Sequence, residues 1–292
     1  MRVLVAGGAG YIGSVTVAEL LAAGHEVVVY DSLVSGHAAA VSRQAELVVA
    51  DIRDEETLAR TFLQRPIDAV VYYGGFIVAS ESMQHPGRYF ANNIGGVICL
   101  LNAMLAHDVY RFVFSSSAAV YGHPPEAGLP ISEEAAIAPL NPYGESKAVV
   151  ERLLGWYQSQ CGLRYVSLRY FNAAGATDKL GEDHRPETHL IPIVLQVALG
   201  QREAVPLYGS DYPTPDGTCI RDYIHVADLA RAHVLALERC ESGGAVYNLG
   251  LGQGFSNRQV IEAARQVSGR SIPVREEPRR PGDPAVLVAT AD

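Results

Sequence analysis

An apolar run from Val3 to Ala6 breaks into Gly7-Gly8-Ala9-Gly10-Tyr11-Ile12-Gly13, and a segment with apolar positions at Val15, Ala18, Leu21 and Ala22 follows. A strand, a glycine turn and a helix in that order constrain the fold more than any other feature of the chain. Gly8, Gly10 and Gly13 stand in G-x-G-x-x-G register, and Gly7, Gly10 and Gly13 in the related G-x-x-G-x-x-G register. Glycine there permits a tight turn, lets backbone N–H groups approach a pyrophosphate, and seats the helix against the sheet. Gly24 supplies a stop for that helix.

Short β-branched runs recur at Glu26 to Tyr30, Leu47 to Ala50, Ala69 to Tyr73, Phe112 to Phe114 and Tyr165 to Leu168, with helix-like segments between them. The alternation predicts an α/β fold: a Rossmann-like doubly wound parallel sheet covered by helices on both faces. Beyond about Asn172 the pattern turns irregular and rich in proline, glycine and aspartate, through Gly181 to Pro192 and Gly209 to Gly217, as loops over a ligand would be. We therefore expect a dinucleotide-binding domain over 1–172 and a smaller α/β substrate lobe over 173–292, with some segments returning to the first domain.

Asp31 ends the second predicted strand, where a carboxylate accepts hydrogen bonds from adenosine ribose hydroxyls and repels a 2′-phosphate. That favours NAD over NADP, although a solvated strand-end aspartate would look the same. Asp51 and Ile52 close the third strand and are placed to flank the adenine, with an N-cap role for Asp51 equally open.

Tyr143-Gly-Glu-Ser-Lys147 sets a phenol and an ammonium four residues apart, on one face of a helix that starts near Pro142. A phenol of pKa about 10 needs roughly 3 units, or about 4 kcal/mol, to act as a base near neutrality. Lys147 and a positive nicotinamide ring would supply that shift. Ser117 ends the run Phe114-Ser-Ser-Ser at a strand terminus and is positioned to hydrogen-bond a substrate hydroxyl; a turn-forming role is the alternative.

The net charge is −9, and no block of lysine or arginine tracks a nucleic-acid backbone. The four cysteines have neither C-x-x-C spacing nor the density of a disulfide scaffold, which fits a cytoplasmic protein. No signal peptide is evident, and the uncharged stretch Phe90 to Ala106 falls short of the roughly 20 residues that a membrane span needs. His184 and His189 share a loop, but their spacing matches no strong zinc motif and no cysteine or third histidine is near. No metal is expected.

Together these residues resemble the extended short-chain dehydrogenase/reductase superfamily, and within it the UDP-glucose 4-epimerase family. The similarity is carried by Gly-Gly-Ala-Gly-Tyr-Ile-Gly-Ser, Ser-Ser-Ser-Ala-Ala-Val-Tyr-Gly, Asn-Pro-Tyr-Gly-Glu-Ser-Lys, Leu-Arg-Tyr-Phe-Asn-Ala-Ala-Gly-Ala, Thr-His-Leu-Ile-Pro, Asp-Tyr-Pro-Thr-Pro-Asp-Gly-Thr-Cys-Ile-Arg-Asp-Tyr-Ile-His-Val and Arg-Arg-Pro-Gly-Asp. The resemblance implies that Tyr143 is the base, Lys147 its tuner and an NAD ligand, and Ser117 the hydrogen-bonding partner. It places Tyr11, Ile12 and Asn93 in the cofactor crevice. It assigns Asn172, Arg221 and Arg280 to the pyrophosphate of a UDP-sugar, Asp283 to the uridine ribose, Tyr208 to the uracil, and His189 to the substrate side. A homodimer through the apolar helices 92–106 and 148–157 is implied as well.

Departures from the family pattern are Ile77 in place of a lysine, Ser32 in place of an asparagine and Ala119 in place of a threonine. Leu287 stands where side-chain size governs acceptance of N-acetylated sugars. The chain ends at Asp292, whereas family members continue for some tens of residues, so the substrate lobe reads as truncated. Other UDP-sugars (N-acetylglucosamine, glucuronate or a pentose) and a non-catalytic NAD or sugar-nucleotide-binding role stay open. A 4,6-dehydratase is disfavoured because Ala118 and Ala119 follow Ser117, where an Asp-Glu pair would be needed.

Overall fold

The computed structural model describes residues 1–125, 128–241, 243–280 and 282–290. In chain order, β1 (Arg2–Ala6), α1 (Tyr11–Ala22), β2 (Glu26–Asp31), β3 (Glu46–Val49), α2 (Glu55–Gln64) and β4 (Ala69–Tyr72) form the first half of a doubly wound unit. A short α3 (Ala79–Gln84) precedes α4 (Pro86–Phe90), which runs through a π-helical turn at Ala91–Gly95 into α5 (Gly96–Ala106). Then come β5 (Arg111–Ser117), α6 (Pro142–Cys161), β6 (Arg164–Tyr170) and β7 (Asn172–Ala174). The remainder holds α7 (Leu190–Ala198), β8 (Val205–Tyr208), β9 (Ile220–His225), α8 (Val226–Arg239), β10 (Gly244–Leu249), β11 (Gly254–Ser256), α9 (Asn257–Ser268), β12 (Val274–Glu277) and β13 (Val286–Leu287).

The main sheet has seven strands in the order β10-β6-β5-β4-β1-β2-β3, all parallel. Both of its faces are buried, which is why strands such as Val3-Leu4-Val5-Ala6 read as continuous apolar runs. Leu4 and Ala6 join one core with Leu58, Leu100, Leu101 and Leu154 from α2, α5 and α6. Val3 and Val5 join the opposite core with Val17, Leu20, Ala236 and Leu237 from α1 and α8. The order reverses between β1 and β4, and an open α/β sheet forms its ligand crevice at the carboxyl ends of the strands there.

β10 and α8, although they come late in the chain, complete this sheet and its cover. The sequence patterning had not singled out β10. Its burial is partial along its length, as befits an edge strand with weak hydrophobic alternation. A second sheet, β11-β9-β13 with β7 also on β9, and a parallel pair β8-β12 form the rest. Here α7 begins at Leu190, inside the stretch expected to be loop, and packs Ile193, Val194 and Val197 against α9 and β8.

The continuous helix Pro86–Ala106 spans 21 residues and is long and apolar enough to cross a membrane by length and composition. It is four residues longer than the uncharged stretch read from sequence. Val97, Leu100, Leu101 and Met104 on it are buried in the sheet's core, where they have protein rather than lipid as solvent.

Candidate active site and cofactor crevice

The glycine turn sits at the carboxyl end of β1. Gly7 adopts φ +79°, a region open mainly to glycine, and its N–H donates to the Tyr30 carbonyl at 2.9 Å. A Cβ on Gly13 would stand 2.2 Å from the Gly7 carbonyl oxygen, so the first turn of α1 lies against the backbone it follows. Gly10 caps α1 without a side-chain acceptor, which leaves the N–H groups of that first turn to an anion. Tyr11, Ile12 and Gly13 are the residues of that turn. A cradle that any side chain would fill, at a helix N-terminus, fits a dinucleotide pyrophosphate.

Asp31 is buried and already holds the turn together: Oδ2 accepts from Ala9 N at 2.9 Å and Oδ1 from Leu33 N at 2.8 Å. Each oxygen keeps a lone pair for a ribose hydroxyl. Asp51 forms a fork with Arg53, 2.6 Å at the shortest, and that hydrogen bond is the main cause of its lowered pKa. The N-cap of α2 is Asp54, whose side chain accepts from Thr57 N, so capping does not occupy Asp51. Ile52 packs on Gly96, where an added Cβ would meet its Cγ2 at 2.5 Å.

Tyr143 and Lys147 project from the first turns of α6. That helix starts at Pro142 because Asn141 caps it, Oδ1 accepting from Gly144 N at 2.9 Å. Ser82 of α3 accepts from the Tyr143 backbone N–H at 3.2 Å, and Asn93 ties the helix to the loop after β4. The Asn93 side chain accepts from Phe76 N at 2.9 Å and donates to Phe76 O at 3.0 Å and to Ser146 Oγ at 3.1 Å. Asn93 is thus a clamp between the π-helical turn, α6 and the crevice wall.

Lys147 is buried. Its Nζ donates to the Ser115 carbonyl at 2.7 Å, lies 4.9 Å from the Phe114 ring centroid and 5.9 Å from that of Tyr143. Burial lowers the ammonium to about 7, against the raising influence of Glu151. Burial also raises the Tyr143 phenol, and a hydrogen bond with Ser117 pulls it back. Each group is penalised for ionising alone. A phenolate facing an ammonium would offset both penalties. Ser117 also accepts from Ala119 N at 3.2 Å, which fixes its side chain as the strand turns into a 3₁₀ segment.

Three groups in this region escaped the sequence reading. Tyr170 at the end of β6 is half-buried, and burial is the main cause that raises its phenol well above its usual pKa, with Ser115 acting against it and Tyr143 adding to it. Glu151, one turn beyond Lys147, forms a buried ion pair with Arg169 at 2.6 Å. Ser82 supplies the acceptor for the start of α6. Each belongs to a different element, and only a fold juxtaposes them.

The residues expected on the substrate side gather around β9. Asn172 pairs with Tyr223 in register, and Leu287 of β13 pairs with Arg221, so all three positions share one small sheet. Arg221 Nη1 donates to the Ile220 carbonyl at 2.9 Å, and Nη2 lies 3.8 Å from Asp283. The neighbouring Asp222 is instead buried and accepts from Leu251 N, Gly252 N and Ala289 N, so it is not the partner of Arg221. The Arg280 guanidinium stacks 3.9 Å over the Tyr208 ring. Pro281 of the Arg-Arg-Pro-Gly-Asp motif lies outside the described residues.

His189 caps α7 and is held by two carboxylates, Glu182 at 2.7 Å and Glu187 at 3.0 Å. Burial lowers the imidazole, but the hydrogen bonds it donates to Glu182 and Glu187 outweigh that and raise the pKa to about 9.

Residues 3–250 match the model of the NAD dependent epimerase/dehydratase family. The UDP-glucose 4-epimerase of Halalkalibacterium halodurans is 52% identical over 296 residues, a match that covers 100% of this chain and 88% of that protein. Among solved structures, UDP-glucose 4-epimerase from Brucella ovis in complex with NAD is similar at a TM-score of 0.94 and 47% identity, covering 99% of this chain and 89% of that one. The Bifidobacterium longum UDP-glucose 4-epimerase in complex with NAD+ and UDP gives a TM-score of 0.94 at 41% identity, over 99% of this chain and 90% of its own.

Proposed function

Because the chain belongs to the NAD dependent epimerase/dehydratase family, we propose that it inverts C4 of UDP-hexoses, interconverting UDP-glucose and UDP-galactose with NAD held at the glycine turn. The observation that carries this reading is the meeting of Ser117, Tyr143 and Lys147 beside the crevice, with Ser117 near enough to the phenol to lower its pKa and the ammonium 5.9 Å from its ring.

NAD bound in the crevice supplies a reversible hydride acceptor for the sugar C4. Tyr143, ionised against Lys147, takes the proton of the 4-hydroxyl and returns it after the sugar has turned. Lys147 keeps the phenolate in a site where burial opposes it. Ser117 Oγ stays within reach of the same oxygen and stabilises the charge that develops there.

Arg221 and Arg280 hold the diphosphate, since a guanidinium fork donates paired hydrogen bonds to phosphate oxygens. Tyr208 and Asp283 take the uridine, and Asn172 lies beside them. Tight anchoring of the nucleotide leaves the sugar free to present either face. In this reading the enzyme is a cytoplasmic homodimer assembled through α5 and α6. The four free cysteines and Trp156, 68% exposed on α6, support it.

The test is conversion of UDP-galactose to UDP-glucose by the purified protein, read by a coupled assay with and without added NAD. Turnover is the expected result. Binding of NAD and UDP-galactose without turnover would replace this reading with that of a non-catalytic sugar-nucleotide-binding protein. UDP-N-acetylgalactosamine in the same assay measures how much room Leu287, beside Arg221, leaves for the sugar.

A further inference from the structure

Glu182, His184, Glu187 and His189 lie on the strap between β7 and α7, and each turns one ligand atom toward a common centre. The four atoms all lie within 4.8 Å of one another. We propose that these side chains form a tetrahedral site for a divalent cation of the zinc class, which pins the strap across the glycine turn.

Bonds of about 2.0–2.1 Å to a tetrahedral zinc set neighbouring ligand atoms roughly 3.3 Å apart. The spacings here bracket that value: Glu182 Oε1 lies 2.7 Å from His189 Nδ1 and 3.1 Å from His184 Nδ1, and Glu187 Oε2 lies 3.9 Å from His184 Nδ1. Both rings present Nδ1 inward, which leaves the hydrogen on Nε2 when Nδ1 ligates.

Glu187 separates a cation site from a set of ion pairs. Its side chain is 3% exposed. Oε1 accepts from Thr188 N at 2.7 Å, from His189 N at 2.8 Å and from the His189 ring at 3.0 Å. Oε2 accepts no hydrogen bond among the described residues, and its 3.9 Å to His184 is too long for one. Oε2, on a side chain that is otherwise buried, faces the His184 ring at 3.9 Å with no protein donor and keeps solvent access, so a cation can reach it there. Two carboxylates balance a divalent ion, and two imidazoles favour zinc over magnesium or calcium, which prefer oxygen ligands. The histidine spacing alone suggested no metal. What the fold adds is the two glutamates.

The strap is tied to the cofactor turn at several points. The Tyr11 hydroxyl donates to the Gly175 carbonyl at 2.6 Å, His37 Nε2 lies 3.1 Å from the Asp183 carbonyl, and Leu180 packs with Val15, Val226 and Ala230. A cation at the four ligands would lock residues 182–189 and, through them, the cover of the first turn of α1. The role is structural, separate from the chemistry assigned to Tyr143.

Equilibrium dialysis of the full chain against Zn²⁺ after chelator treatment, followed by Co²⁺ titration, tests the proposal without relying on turnover. One ion per chain and visible d–d bands of tetrahedral intensity are expected. His184→Ala and Glu187→Gln should each weaken binding by at least roughly tenfold, while His25→Ala, at the amino-terminal end of β2, leaves it unchanged. Circular dichroism melts establish that the variants are folded, and either variant alone suffices. Absence of stoichiometric binding, or binding that both variants leave intact, overturns the proposal.

Discussion

Tyr143 and Lys147 stand on a 20-residue helix with a capped start, and Ser117 stands at the end of a strand locked between two others. Arg221, Arg280, Asp283 and Tyr208, by contrast, come from short strands and the segments that join them, and they hold one another by a 3.8 Å ion pair and a ring stack. In the first region, regular backbone geometry sets the side-chain positions before any ligand arrives. In the second, polar side chains satisfy each other, and in the proposed reading a diphosphate and a uridine would replace those partners. A site for bond-making needs fixed geometry, whereas a site that binds and releases a nucleotide does well with contacts that exchange.

That contrast can be broken at its strongest point by Tyr143→Phe. Turnover should fall roughly a hundred- to ten-thousand-fold, the usual worth of a positioned acid/base group, while NAD binding and the melting temperature hold. Steady-state kinetics together with a melt decide it. Near-normal turnover would mean that the rigid region is scaffold only.

Arg280→Ala sharpens the other side. Removing a charge-assisted contact costs about 1.5–3 kcal/mol, which should appear as a KM for UDP-galactose roughly tenfold or more higher, with kcat within a few-fold of the wild type. A fall in kcat with unchanged KM would show that this arginine acts in the transition state and that the two regions are not separate in role.

Gly13→Ala probes the cradle itself. Its Cβ would lie 2.2 Å from the Gly7 carbonyl, so the turn must open, at about 1–3 kcal/mol. A fluorescence titration should show weaker NAD binding, with smaller changes in affinity for UDP. Unchanged NAD affinity would remove the turn from the cofactor site.

The smallest effect concerns Lys147. Burial brings its ammonium from 10.5 to about 7, so between those values the unfolded chain binds more protons than the folded one. Stability attributable to this residue therefore rises with pH across that window, and the full penalty is present at pH 7 and below. Lys147→Met should raise the melting temperature of the cofactor-free protein at pH 6–7 by roughly 2–4 °C and lose that advantage towards pH 10. A destabilised variant at pH 6 would mean that the hydrogen bond to the Ser115 carbonyl outweighs the desolvation.

Much of the first region was legible because its signals are local. The strand, glycine turn and α1 follow one another in sequence, and Tyr143 and Lys147 are one helical turn apart. The second region was legible only through resemblance: nothing in the spacing of Asn172, Tyr208, Arg221, Arg280 and Asp283 shows that β7, which carries Asn172, lies beside β9, which carries Arg221. Expecting loops over Gly181 to Pro192 overlooked the start of α7, because Leu190-Ile191-Pro192 reads as a break until its packing against α9 is seen.

From the residues alone came the parallel sheet with helices on both faces, the glycine cradle, and the pairing of a phenol with an ammonium on one helix face. These follow from periodicities of 2 and 3.6 residues and from steric rules that act within a few positions of the chain. Only the tertiary structure decided that β10 closes the sheet, that Ser82 and Asn93 fix the start of α6, that Arg221 meets Asp283 rather than Asp222, and that Glu182 and Glu187 converge on His184 and His189. Such contacts depend on where separate elements dock or a strap folds back, and docking is set by the burial of whole faces rather than by local pattern.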